Sequence, residues 1–368
     1  MSELIPDGIH FGLDEQAYHD DPALGYSDHK GLLVNPVQWR FKRDAAMREA
    51  LGLGDPADKP EETVAMSFGK AVDCMILTPE RFDDRYTSEP EPPEGTLWTR
   101  EQIREALGSR CMLPRGASLV DLQMDAKRFG LTNLGCDWEA DKAELIAGRQ
   151  VLSKRWIATM RLINRMMDAP RVDYEGKSLR QAILTDGYPQ VAVFWTDDTG
   201  LRLKMLVDYL RPAAMIDLKT YAGRDDLDVA DAFWGSVTRF GYDMQAAHYL
   251  EGGEQIGRLV AEGRVFGDHD PAWVQRFVGR TKRQAWVWLG VQWVGMPEVD
   301  EFRFPEELIF ASAGAMVREA RAKYRDYAAR FGTDEPWVSM RGPIVLSDET
   351  CPHRIRITER GAQRWKPL

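Results

Sequence analysis

Ala214-Met215-Ile216-Asp217-Leu218-Lys219-Thr220 reads as a β-strand that presents two charges on one side. Side chains alternate along a strand, so Asp217 and Lys219 share a face while Leu218 turns into the core. The preceding strand is predicted over Leu201 to Leu210 and ends in Val207-Asp208-Tyr209, with a short turn at Arg211-Pro212. That hairpin brings Asp208 beside Asp217. Further upstream, the apolar run Val191-Ala192-Val193-Phe194-Trp195 ends in Asp197-Asp198-Thr199-Gly200, a hairpin turn signal. Downstream, Phe233 to Leu250 has helical spacing, and Gln245 and Tyr249 lie four apart on one face of it. Gln284 to Val294 is a further strand, rich in Trp and Val, and Arg318 to Arg330 a basic helix.

Two more helices precede the strands. Phe68, Ala71, Val72, Met75 and Ile76 recur at helical spacing within Ser67 to Leu77, which Pro79 ends. Ser153 is an N-cap for a helix carrying Trp156, Met160, Ile163 and Met167, stopped by Pro170. Pro-rich acidic stretches over residues 54–60 and 88–95 read as loops. Helices around a central run of strands predict an α/β chain with one mixed sheet.

The chain has 368 residues, enough for a large core, and 44% apolar against 29% charged residues marks it as globular. Lys and Arg number 48 against 58 Asp and Glu, a net charge of −10, which argues against coating nucleic acid through bulk positive charge. It leaves room for a local basic groove and for acids gathered around a metal. No signal peptide or membrane-spanning run is legible, and the cysteines at 74, 111, 136 and 351 form no C-x-x-C pair. A reduced, cytosolic setting is expected.

The chemistry concentrates on three segments: Asp208, then Asp217-Leu218-Lys219-Thr220, then the Gln245/Tyr249 helix face. Two close carboxylates repel unless something neutralises them, and a hard divalent cation does so with oxygen ligands. Magnesium takes one or two carboxylates and keeps its waters, leaving room for a phosphate oxygen. Lys219 would orient the attacking water or stabilise charge in the transition state. Metal-assisted phosphodiester hydrolysis is the reaction this set suits. A lone Asp-x-Lys is more often an exposed ion pair of little consequence; the combination and order of the three segments carry the reading.

That combination resembles the PD-(D/E)XK nuclease signature. In particular the chain resembles the exodeoxyribonuclease VIII (RecE-type) family, related to RecB-like and lambda-type exonucleases. Gly69 through Phe82 is similar to the family's first helix, the hairpin from Val191 to Asp208 with Ile216 to Thr220 to its catalytic sheet, and Gln245 to Tyr249 to its Q-x-x-x-Y element. Tyr18-His19, Tyr26-Ser27 and Asn35-Pro36 echo its opening, Trp288 to Val294 its close. The likeness is thin from Thr87 to Asp141 and absent after Arg341. Two positions depart from the pattern: Asp73 stands where the family has a metal-binding histidine, and Gln190 where it has a glutamate.

The resemblance implies a PD-(D/E)XK core over residues 61–340 with a divergent insert around 87–141, an N-terminal helical segment over 1–60 and a tail over 341–368. It implies Mg²⁺, with Mn²⁺ as substitute, held by Asp73, Asp208 and Asp217. Catalysis is expected from Asp208, Asp217 and Lys219, supported by Thr220, Gln245, Tyr249 and Gln190. The implied activity is a DNA exonuclease working on duplex ends in phage or bacterial recombination. Implied partners are a single-strand annealing protein and further copies of the chain. An iron–sulfur cluster is not expected, since only Cys351 lies near the C-terminus. Two alternatives stand beside this: a catalytically inactive DNA-binding or assembly protein on the same fold, and a RecB-like helicase-associated nuclease. Trp286, Trp288 and Trp293 are expected in the core more than on a base-stacking surface. His19-Asp20-Asp21 reads as a solvated turn, and Cys351-Pro352-His353 lacks partners for a zinc site.

Overall fold

The computed structural model describes residues 4–44, 48, 49, 52, 63–224, 226–303 and 305–340. The loop read over residues 54–60 and Cys351-Pro352-His353 lie outside the described residues. By its internal contacts the chain divides into two units, Met1–Ser27 with Lys59–Val317, and Asp28–Asp58 with Arg318–Leu368.

The first unit holds a mixed seven-stranded sheet. Its strands are β1 (Gly8–His10), β4 (Tyr188–Thr196), β5 (Arg202–Leu210), β6 (Ala214–Ala222), β7 (Val265–Phe266), β8 (Ala285–Val294) and β9 (Glu298–Arg303). They lie in the order β7-β1-β4-β5-β6-β8-β9. β4, β5 and β6 form an antiparallel meander, and β6 pairs in parallel with β8, Asp217 lying opposite Trp288. Two short strands, β2 (Tyr86–Ser88) and β3 (Gln150–Leu152), pair apart from this sheet. The β4–β5 turn is built as expected, because the Asp197 carboxylate accepts from the backbone N–H groups of Thr199 and Leu201, both at 2.9 Å.

The helical spacing read from the sequence is the spacing that packs. Phe68, Val72, Met75 and Ile76 of the helix Val64–Leu77 join Met160, Ile163 and Met167 of the helix Lys154–Asp168 in one buried cluster. Ile216 and Leu218 of β6 belong to the same cluster, so the alternation of that strand leaves Asp217 on its other side. Trp286 and Trp288 are 2% and 1% exposed and are core residues, whereas Trp293 is half-buried and stacks on Phe68 at 5.0 Å at the edge of the cluster.

Three expectations are corrected. Phe233 to Leu250 is not one helix: Val229–Phe240 and Tyr242–Ala261 are separated at Gly241, whose φ of +71° is a left-handed conformation that suits glycine. β1, β7 and β9 were not anticipated, the first two being too short for periodicity to reveal. The basic helix begins earlier than expected, running from Glu306 to Phe331. The thin stretch of the resemblance is folded as well: helices Arg100–Leu107, Leu119–Arg128 and Gly135–Ile146 enclose or flank a small core of Ile103, Leu107, Leu122, Ala126 and Leu134.

In the second unit, Trp39 of the helix Pro36–Arg43 packs against Tyr324 and Trp337, and its indole N–H donates to Asp28 at 2.9 Å. Arg318, Arg325 and Arg330 are exposed here, whereas Arg321 is buried beside His29. Among the described residues no helix is long and apolar enough to cross a membrane.

Candidate active site

The site is assembled on β6. Lys219 Nζ donates to Asp217 Oδ1 at 2.6 Å, the contact expected of residues two apart on one strand face. Gln245, on the helix Tyr242–Ala261, donates from Nε2 to the same oxygen at 2.8 Å. Asp217 is 1% exposed, so its carboxylate is oriented by a cation and an amide and is nearly shut off from water.

Asp208 arrives by register. β5 and β6 pair through Leu210↔Met215 and Tyr209↔Ile216, and the next position along would set Asp208 against Asp217. The ladder stops short of it, and Asp208 Oδ2 accepts from the backbone N–H of Leu218 at 2.8 Å instead. A side chain thus satisfies the strand where its neighbour's carbonyl does not, and the two carboxyl groups come within hydrogen-bonding reach of each other.

Asp73 and Gln190 border one cavity of about 650 Å³, whose walls also carry Glu15, Lys70, Arg81 and Arg85. Gln190 occupies β4 opposite Asp208, between the pairs Pro189↔Tyr209 and Val191↔Val207. Its φ of +51° is left-handed, a conformation that costs a non-glycine residue on the order of 1–2 kcal/mol. Strain of that kind inside a strand, beside a cluster of acids, marks a position held by its surroundings.

The electrostatics agree with the geometry. Burial, then the neighbouring Asp217, push the Asp208 carboxyl up to about 7. Burial and Asp208 raise Asp73 well above the usual carboxylate range. Asp217 is also raised by burial, against the opposing pull of Lys219 and Gln245. For Lys219, burial works against the charge, but Asp217 and Asp208 outweigh it and its pKa is raised. Asp73 Oδ1 and Asp217 Oδ2 are buried oxygens without a hydrogen-bond partner. Three acids facing one amine, two of them with orphaned oxygens, are the donor set a hard divalent cation suits. Among the described residues no group of three or more His, Cys, Asp or Glu side chains is placed to hold a metal ion. Magnesium does not need one, since it binds through one or two carboxylates and keeps water on its other positions.

The remaining expected residues take supporting places. Tyr249 is buried, and its hydroxyl accepts from the Leu206 N–H at 3.4 Å, while the two acids and Lys219 lie within its electrostatic reach. Thr220 packs against Gly69, where a Cβ would stand 3.2 Å from Thr220 Oγ1. His19 and Asp20 close the helix Glu15–Asp20 and Asp21 is buried against Arg202, so this stretch is a helix end with a buried ion pair and not the solvated turn expected. Sequence reasoning missed two aromatic neighbours. The Tyr242 ring sits 5.1 Å from Lys219 Nζ, and Tyr26, whose hydroxyl donates to the Phe240 carbonyl, feels the charges of Lys219 and Asp217. The signal for Tyr242 was available in Gly241, the helix break that places it.

A family model described as a PDDEXK-like domain of unknown function (DUF3799) matches residues 42–263, more than half of the chain. Among solved structures, a protein described as a "putative exonuclease" from Eubacterium rectale is similar over 92% of this chain and 98% of its own, at 14% identity and a TM-score of 0.43. No curated protein matches the sequence.

Proposed function

The chain belongs to the PDDEXK-like family DUF3799, within the PD-(D/E)XK nuclease superfamily, and from that premise we propose a metal-dependent exodeoxyribonuclease acting on duplex DNA ends. The observation that carries the reading is the Asp208–Asp217–Lys219 cluster, with the orphaned Oδ2 of Asp217 and its raised carboxyl pKa values. Asp208 and Asp217, with Asp73, would hold Mg²⁺ or Mn²⁺. When bound, the cation supplies a polarised phosphoryl group and a more acidic water.

The protein's own residues do the rest. Gln245 fixes the orientation of the Asp217 carboxylate by its amide and favours the ionised form. Lys219, kept cationic by the two acids, stabilises negative charge as it develops on the phosphoryl oxygens and orients the attacking water. Leu218 N–H holds Asp208, leaving its second oxygen for the reaction side.

The proposal extends, on the resemblance alone, to the RecE-type branch, a nuclease core over 61–340, a role in phage or bacterial recombination in the cytosol, a homo-oligomer and an annealing-protein partner. Two points favour a second reading, a catalytically inactive DNA-binding or assembly protein: Gln190 stands where the resembled family has an acid, and among the described residues no group of three or more His, Cys, Asp or Glu side chains is placed to hold a metal ion. End-labelled linear duplex incubated beside a covalently closed circle, with and without Mg²⁺, tests both. Mg²⁺-dependent loss of the linear form alone is expected. Nicking of the circle at equal enzyme concentration refutes the exonuclease assignment, and no hydrolysis of either DNA with Mg²⁺ supports the inactive reading.

A further inference from the structure

The helix that carries Gln245 leads away from the acids to a second concave site. At its far end a pocket of about 500 Å³ lies between the helix and the loop that enters β8. Gly253 and Gly257 line it, eight and twelve residues beyond Gln245, or about 12 and 18 Å along a helix. Both glycines are required by close approach. A Cβ on Gly257 would stand 2.7 Å from the Phe277 carbonyl oxygen, and one on Gly253 would overlap the Met215 side chain. The loop is tied down at its end, where Gln284 donates to the Arg211 carbonyl at 2.7 Å.

Charge distinguishes this pocket from the rest of an acidic chain. Arg258, Arg280, Lys282 and Arg283 line it, with one acid, Glu254. Arg283 is paired with Glu254, and Arg258 with Glu262 at 2.9 Å. Arg280 and Lys282 are exposed and have no carboxylate within ion-pair distance among the described residues. Two cations therefore remain uncompensated in a concave site on a protein of net charge −10. Concentrating like charge without a counter-ion is unfavourable, and an anion entering the pocket removes that cost.

We propose that this pocket is a phosphate site for the DNA backbone, separate from the catalytic acids. The inference rests on the nuclease reading and adds a second contact to it, one that positions DNA without reading sequence. A phosphate group free in solution or on a mononucleotide offers the same chemistry, and the test separates these sources.

Binding of a fluorescein-labelled blunt duplex is measured by anisotropy in EDTA between about 50 and 200 mM salt. Each backbone phosphate contact contributes about 0.9 to the slope of log affinity against log salt, so Arg280→Ala with Lys282→Ala should lower the slope by about 1.8. Over that fourfold salt range the wild type should lose about 12-fold more affinity than the double variant. Arg280→Lys with Lys282→Arg keeps both charges and should keep the slope. Unchanged slope in the alanine variant overturns the proposal, as does an equal drop in the charge-keeping variant. Saturable binding of inorganic phosphate or dAMP that the alanine variant loses, with duplex slope unchanged, assigns the pocket to free phosphates and overturns it too. A wild type that binds no duplex overturns both this site and the nuclease reading, whereas binding with equal slopes removes only this site.

Discussion

Cation binding at the acid cluster should depend steeply on pH, and the structure fixes the size of the effect. The Asp208 carboxyl titrates at about 7 because it is buried beside Asp217. In the metal-free protein it is therefore about nine-tenths protonated at pH 6 and about one-tenth at pH 8. A divalent cation needs the carboxylate, so binding expels the proton and the two compete. The apparent Kd scales as one plus the ratio of acid to base, about 11 at pH 6 and about 1.1 at pH 8. Affinity for Mg²⁺ should thus rise about tenfold, or about 1.4 kcal/mol, across those two pH units. Asp73, also raised by burial and by Asp208, steepens the dependence, while Lys219 stays charged throughout and contributes no proton. Isothermal titration with MgCl₂ at both pH values, in buffers of different ionisation enthalpy, reads the affinity and counts the protons released. In Asp208→Asn the tenfold ratio should shrink sharply. Equal Kd values at pH 6 and pH 8, or an undiminished ratio in Asp208→Asn, would refute the reasoning.

Three further outcomes follow from the same cluster. The raised Asp208 pKa means the metal-free folded state loses stability as pH climbs from about 4, the unfolded value, to about 7; Asp208→Asn should match the wild type near pH 4 and gain on it progressively up to pH 8, by urea unfolding in EDTA. Asp217→Asn keeps an acceptor for Gln245 and should stay folded while hydrolysis falls at least about 100-fold, whereas Lys219→Met leaves the acids without their cation and should also cost about 3 kcal/mol in unfolding free energy. Asp73→Asn should weaken Mg²⁺-dependent cleavage steeply, with partial recovery when Gln190→Glu is added, because both positions border the same cavity; unchanged activity and metal titration in Asp73→Asn would remove Asp73 from the ligand set.

Much of the site was legible because it is written in local patterns. Alternation in Asp217-Leu218-Lys219 and the short turn after Asp208 dictate proximity by strand geometry alone, and Gln245 was reached through its spacing to Tyr249. What escaped notice depends on contacts that no window of sequence contains. β1 and β7 are strands of three and two residues that exist because β4 and each other supply their partners. The positive φ of Gln190 is imposed by its neighbours against its own preference. Gly241 was visible in the sequence, but an isolated glycine inside a helical pattern is tolerated as often as it breaks one, and only packing shows that Tyr242 starts a new helix beside Lys219.

The irregular features of the first unit converge on a few residues. A left-handed glutamine in a strand, two carboxylate oxygens without partners, three acids raised by burial and a lysine locked between them all sit around β5 and β6. The glutamine, the unpartnered oxygens and the raised acids all work against the metal-free fold, and each is a departure from the rules that the helices and hairpins of the same unit obey. A carboxylate cluster kept for structure alone would be better replaced by apolar residues of similar volume, as burial penalises every charge in it. The surrounding core is large enough to hold the cluster in place at that cost, with Ile216, Leu218, Leu289 and Val291 packed against the helix Val64–Leu77 that supplies Asp73. Concentrated local cost within an otherwise consistent fold is what a preorganised cation and phosphate site requires, since the ligand then replaces an unfavourable state and not a satisfied one.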